Sequence, residues 1–225
     1  MALTDEAITK LRGMIQSGEL PPGSRLPPEN QLAAQMGISR SGVREAVKVL
    51  ESARVLDVRR GNGTYVTSLA PKLLLEGVGF AVELLQGETL LEVMEVRRLL
   101  EPSATGLAAR RITDEQLDDL AASLQRMRDA ADPEKLMEAD LSFHRAIVAS
   151  TGNETLASLL DGLSGRTVRA RVWRGLVEGN VTRATIGEHQ AIYDALRVRD
   201  PFLAQSAALL HVNTSEAWLR ALLEG

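Results

Sequence analysis

Gly37-Ile-Ser39-Arg40-Ser41-Gly-Val43-Arg44-Glu-Ala46-Val47-Lys48-Val-Leu50 is the stretch on which the fold of this chain turns. Ser39 is of the type that caps a helix N-terminus. Behind it Val43, Ala46, Val47 and Leu50 recur at i, i+3, i+4 and i+7, the stripe of an amphipathic helix, while Arg40, Arg44 and Lys48 recur every four residues on another face. Just before it, Glu29 to Met36 reads as a second helix entered through Pro27-Pro28, with Leu32, Ala33 and Met36 apolar and Gly37 supplying the tight bend between the two. Two short helices joined in this way make a helix-turn-helix, whose second helix is shaped to carry cations into a DNA major groove. A basic helix face alone is more often a solvated surface, so the flanking sequence has to decide.

Upstream, residues 4–17 read as a short amphipathic helix with Thr4 as its cap and Ala7, Ile8, Leu11 and Ile15 on one face, ended by Leu20-Pro-Pro-Gly23. Downstream, Val55–Arg60 and Thr64–Thr67 are β-prone runs joined through Gly61-Asn62-Gly63, where Asn-Gly is suited to the positive φ of a tight hairpin. A hairpin directly after the third helix makes the unit a winged helix. Its tip sets Arg59 and Arg60 beside bare glycine backbone, suited to phosphates or a minor groove. As a dinucleotide fingerprint Gly61-Asn-Gly63 fails, because no third glycine opens a helix. Charge agrees once it is divided: the chain carries −4, yet residues 1–68 hold nine Lys/Arg against seven Asp/Glu, and the remainder seventeen against twenty-three. A basic segment on an acidic remainder is what local phosphate binding requires.

Residues 69–75 read as a linker. Beyond them nothing suggests strand: helices are expected from Glu88 to Arg111, over 114–130 behind the capping box Thr113-Asp-Glu-Gln116, over 133–150 behind Asp132-Pro133, over about 154–176 behind Asn153, from near Thr185 to Arg199, and from Asp200-Pro201 to about Leu223. The fold class is therefore mostly α, with an N-terminal winged helix-turn-helix (1–68) and an all-helical bundle (76–225). The 225 residues lack cysteine, which excludes disulfides and thiolate chemistry and fits a reducing compartment. No apolar run approaches a membrane span and the N-terminus is unlike a signal peptide, so a cytoplasmic protein with no membrane partner is expected.

The bundle holds all three histidines of the chain. His144 lies four residues after Asp140, a spacing that sets carboxylate and imidazole on one helix face, and His189 and His211 each sit on an amphipathic segment of their own. Three helices can thus bring one oxygen and three nitrogens to a point. Any one of these histidines alone is more often an ordinary core or surface side chain.

Two resemblances add to this reading. Ile15-Gln-Ser-Gly18 through Pro22-Gly23-Ser-Arg25-Leu26-Pro27-Pro-Glu29, Ser39-Arg40 through Val43-Arg44-Glu45-Ala46, and Gly61-Asn-Gly63-Thr64-Tyr-Val66 resemble the N-terminal domain of GntR-type bacterial transcription regulators. The resemblance implies that Arg40 and Arg44 read an operator, with Ser39, Ser41 and Gly61 near the DNA backbone or base edges and Arg60 beside them on the wing. Two positions depart from the pattern: Asn30 stands where the family often has an arginine, and Arg54 where a glycine usually follows the third helix. Glu95-Val-Arg97-Arg-Leu-Leu-Glu101-Pro, Asp140-Leu-Ser-Phe143-His144, Thr151-Gly-Asn153, Glu188-His189-Gln and the His211 helix resemble the FCD ligand-binding domain of the FadR-type subfamily. That resemblance implies a divalent metal held by Asp140, His144, His189 and His211, zinc first, with nickel, manganese or iron as alternatives. It further implies a small carboxylate effector closing the coordination, with Arg97 as its counter-charge. Arg98, about 100° around the helix, is expected at the surface, and Arg166, Arg169, Arg171 and Arg174 read as a solvated face.

The function expected is that of a homodimeric, ligand-responsive repressor of a near-palindromic operator, not an enzyme. The rival readings are a metal-dependent hydrolase and a metal-sensing regulator. Against the hydrolase, the chain has no HExxH, no GxSxG and no phosphate loop.

Overall fold

The computed structural model describes residues 3–85, 89–165 and 182–224. Packing divides the chain into two compact units, 1–74 and 75–225.

In the first unit α1 (Leu3–Gln16), α2 (Glu29–Met36) and α3 (Arg40–Ser52) surround a core that includes Ala7, Leu11, Leu32, Val43, Ala46 and Leu50. The α2–α3 bend forms as the sequence requires: Gly37 adopts φ 67°, open to glycine without strain, and the Ser39 hydroxyl accepts from the Gly42 N–H at 3.1 Å. Strands β1 (Leu56–Arg59) and β2 (Gly63–Val66) pair antiparallel, with Leu56 opposite Val66 and Arg59 opposite Gly63. Leu56 and Val66 point into the core. The segment before α2 closes on β2 from its other side, with the Leu26 N–H donating to the Thr64 carbonyl and the Val66 N–H to the Ser24 carbonyl. The wing turn differs from the expected Asn-Gly geometry: the positive φ angles fall on Gly61 (74°) and Gly63 (113°), not on Asn62, because three residues rather than two bridge the strands. A short helix α4 (Pro71–Leu74) occupies most of the segment expected as linker.

The second unit is helical throughout its described residues: α5 (Glu76–Leu84), α6 (Thr89–Ala109), α7 (Asp114–Asp129), α8 (Pro133–Ala149), α9 (Glu154–Leu163), α10 (Thr182–Arg197) and α11 (Pro201–Glu224). The caps follow the sequence. Thr113 and Gln116 form the reciprocal box, Asp132 accepts from the Lys135 N–H, Asn153 from the Leu156 N–H, and Asp200 from those of Phe202 and Leu203. Helices α6 and α11 run antiparallel, Gly106 lying against Pro201 and Arg98 reaching Glu216. The core they share with α7, α8 and α10 includes Met94, Leu120, Phe143, Ile192 and Val212.

Three expectations change. Helix α5 is absent from the sequence expectation because Gly77 and Gly79 lower helix propensity; it forms packed against α9, where glycine at 162 makes the approach possible, since a Cβ there would stand 3.2 Å from the Gly79 nitrogen. Helix α10 starts three residues before Thr185. The single helix expected from Asn153 to about 176 ends instead at Leu163, where Ser164 caps α9 and donates its N–H to the Leu160 carbonyl; Arg166, Arg169, Arg171 and Arg174 lie outside the described residues. Among those described, no helix is long and apolar enough to cross a membrane.

Candidate metal centre and nucleic-acid interface

Asp140 and His144 sit one turn apart on α8, His189 on α10 and His211 on α11, and one ligating atom from each lies within 4.8 Å of the others. Asp140, His189 and His211 are buried, His189 fully so, and His144 is partly buried. His189 Nε2 is 2.8 Å from Asp140 Oδ1 and 3.3 Å from His144 Nε2, and His144 Nε2 is 3.5 Å from Asp140 Oδ1. Phe143 closes one side, its ring edge-on to both His144 and His189.

The partners of the remaining ring nitrogens test whether a metal fits. His189 Nδ1 lies 2.8 Å from the Thr185 carbonyl, which can only accept, so the ring proton of a neutral imidazole belongs on Nδ1 and the Nε2 lone pair faces Asp140. His211 Nδ1 lies 3.1 Å from Glu188 Oε2, and Glu188 Oε1 accepts from the Thr214 hydroxyl at 2.8 Å. Outer contacts of this kind orient histidine ligands. Burial, and then the neighbouring His189, pull the His211 pKa below its ordinary value against the opposing pull of Glu188. That favours the neutral imidazole, the form that ligates. Lone pairs converging in a buried space, from three imidazoles and one carboxylate without sulfur, are the donor set of zinc, nickel, manganese or iron. The residues fit a metal.

Arg97 of α6 lies close by, and it is not an open cation. Its buried guanidinium donates from Nε to Glu101 Oε1 at 2.7 Å and from Nη2 to Oε2 at 3.4 Å, with Met94 Sδ beside Nη1. Glu101 also accepts from the Ser164 hydroxyl, and its Oε2 stands 4.0 Å from His144 Nδ1. One carboxylate thus links Arg97 to the histidine cluster. Arg98 lies toward the surface, ion-paired with Glu95 and Glu216.

On the first unit Arg40 is exposed at the start of α3. Arg44, 57% exposed in its side chain, is forked onto Glu29 of α2 at 3.1 Å from Nε and 2.9 Å from Nη2, a contact that raises its pKa further. Lys48 pairs with Glu45. Ser39 and Ser41 hydroxyls lie 3.2 Å apart at the helix start. Arg60 is exposed at the wing tip beside Gly61. Arg59 is not its twin: it pairs with Asp57 and lies 4.4 Å from the centre of the Tyr65 ring, turned along the strands.

Residues 3–66 match the model of the bacterial regulatory proteins of the gntR family, and residues 92–214 match that of the FCD domain. The chain belongs to the GntR family. Relatives agree over nearly the whole length. The galactonate operon transcriptional repressor of Escherichia coli (strain K12) is 32% identical over 97% of each chain. The transcriptional regulator LutR of Bacillus subtilis (strain 168) is 31% identical over 94% of this chain and 98% of its own. Among solved structures, a Streptococcus agalactiae GntR protein superposes with a TM-score of 0.67 at 29% identity, over 95% of this chain and 99% of its own. This GntR-family protein is thus a DNA-binding transcription regulator with an FCD effector domain, not an enzyme, and its bundle contains a buried Asp/His3 cluster compatible with a metal.

Sequence reasoning missed the supporting residues of this regulator: Glu188 and Thr185 behind the histidines, Glu101 beside Arg97, and Glu29 behind Arg44. Glu101 alone left a local signal, standing one helical turn after Arg97.

Proposed function

We propose that this regulator is a homodimeric repressor that responds to a small carboxylate bound at a divalent metal. Residues 1–68 serve as the reading head, 69–75 as the connection, and 76–225 as the effector and dimerisation part, acting on DNA in the cytoplasm. Ser39, Arg40, Ser41, Arg44, Arg60 and Gly61 meet a near-palindromic operator, one head to each half-site. Asp140, His144, His189 and His211 hold the ion, zinc being the first candidate. When bound, the ion supplies a positive charge able to hold an anionic oxygen.

The observation that carries this reading is the convergence of four donors from three helices, three of them buried and His144 partly so, with two of the histidines turned inward by partners on Nδ1. Arg97 is the counter-charge for the acid. Its pairing with Glu101 means that the acid competes with an internal carboxylate for the guanidinium. Galactonate is the first acid to test, because one relative is named for a galactonate operon.

Two variants test the reading, using a duplex that the protein selects from a random pool. Arg97→Ala is expected to keep metal and duplex binding and to lose the response to acid. His189→Ala is expected to lose metal. An Arg97→Ala protein that responds at the parent's acid concentration places the ligand elsewhere, and full metal content in His189→Ala removes the four-ligand assignment.

A further inference from the structure

The cations of the first unit differ in what holds them. Lys10, Arg44, Lys48 and Arg59 each have a carboxylate oxygen within 2.9 Å. Arg25, which the sequence left without a role, is exposed, and among the described residues no acid stands within ion-pair distance of it. Exposed Arg40 and Arg60, at the two elements proposed to meet DNA, share that condition.

The backbone of Arg25 is fixed to the wing. Arg25 bridges Tyr65 of β2, between the hydrogen bonds from Leu26 N–H to Thr64 O at 2.8 Å and from Val66 N–H to Ser24 O at 2.9 Å. Alternation along the strand buries Leu26 and Val66 and places Arg25 on the opposite face with Tyr65 and Gly63. There its guanidinium lies directly on Gly63: a Cβ at that position would stand 2.6 Å from Nε and 3.0 Å from Nη2. Glycine at 63 therefore serves two ends, the positive φ of the turn and the room for this side chain. Arg25 also borders a groove of about 560 Å³ that runs between the wing and the start of α2, lined further by Pro28, Glu29, Gln31 and Thr64.

We propose that Arg25 is an operator contact at the shoulder of the wing, and that it takes a backbone phosphate of the duplex. A guanidinium can grip phosphate oxygens bidentately. A fixed backbone and a glycine seat restrict the conformations that it would lose on binding. No internal carboxylate has to be displaced first. Because the contact is to phosphate, it contributes affinity without reading sequence.

The test compares the full-length parent with Arg25→Ala and Arg25→Lys on two duplexes of about three helical turns, one selected by the protein from a random pool and one of scrambled sequence, over a series of salt concentrations. Arg25→Ala is expected to weaken both duplexes by the same several-fold factor. It should also reduce the slope of log affinity against log salt by about 0.9 for each head engaged. Arg25→Lys should restore the slope. Thermal unfolding should be unchanged in both variants. An unchanged slope in Arg25→Ala would refute the phosphate contact, a loss confined to the selected duplex would make Arg25 a base reader instead, and a lowered unfolding temperature would assign it to the wing's structure.

Discussion

Glu188 is adjacent to His189 in sequence but serves His211, twenty-three residues on. Its carboxylate occupies Nδ1 of that ring, and the Thr214 hydroxyl steadies the other oxygen. Removing such a partner from a metal-bound histidine typically costs about 10–100-fold in metal affinity. Glu188→Ala is therefore expected to fall in that range, measured by competition with a chromophoric chelator, and Glu188→Gln, which keeps an acceptor without the charge, to lose less. Equal affinity in parent and Glu188→Ala would show that the contact does not support the ligand. At this scale the sequence discloses the donors and hides what aims them. Asp140 and His144 declare themselves by a four-residue spacing on one helix. Pairs such as Arg44 with Glu29 and His211 with Glu188 exist only because separate helices pack, and no local spacing encodes them.

Elements were legible where side chains act on their own neighbourhood. Thr113, Asp132 and Asn153 each satisfy an amide three residues away, so each helix start could be read directly. Helix α5 could not, because what sustains a helix containing Gly77 and Gly79 is its packing on α9, where Gly79 meets Gly162, a tertiary term that overrides propensity. The wing was legible as a hairpin, while its φ pattern depended on a loop length that Gly61-Asn-Gly63 alone does not specify. The departure at Arg54 also resolves at this scale: its φ is +58°, the left-handed conformation that ends α3 and that glycine adopts without a steric penalty. Arg54→Gly is expected to stabilise the first unit by about 0.5–1 kcal/mol in urea unfolding. A loss of stability would mean that the arginine's own interactions outweigh the strain of its backbone.

For the whole molecule, the solvent side of the α6–α11 pair carries Leu99, Phe202, Leu203 and Leu210, each between 51% and 76% exposed. Such a face is unusual on a monomer. Along α6 the same stripe runs from Glu92 through Val96, Leu99 and Ser103 toward Arg110, so a second copy laid antiparallel about a two-fold axis would set acid against base at both ends. The proposed homodimer is expected to use this face. Leu99→Asp combined with Phe202→Asp should give a monomer of unchanged metal content by light scattering at micromolar concentration, and a persisting dimer would move the seam elsewhere. The order of the ligands along the chain has a further consequence, in time. The core of the first unit is complete by Val66, whereas the last donor arrives at His211. At synthesis rates of about 5–20 residues per second, that interval lasts roughly 7–30 s. Throughout it a nascent chain owns all the residues of its DNA-reading head and an incomplete set for its metal. A premature stop anywhere in the interval would make the condition permanent: a truncated protein retaining every candidate DNA contact and lacking the last ligand of the centre proposed to sense the acid.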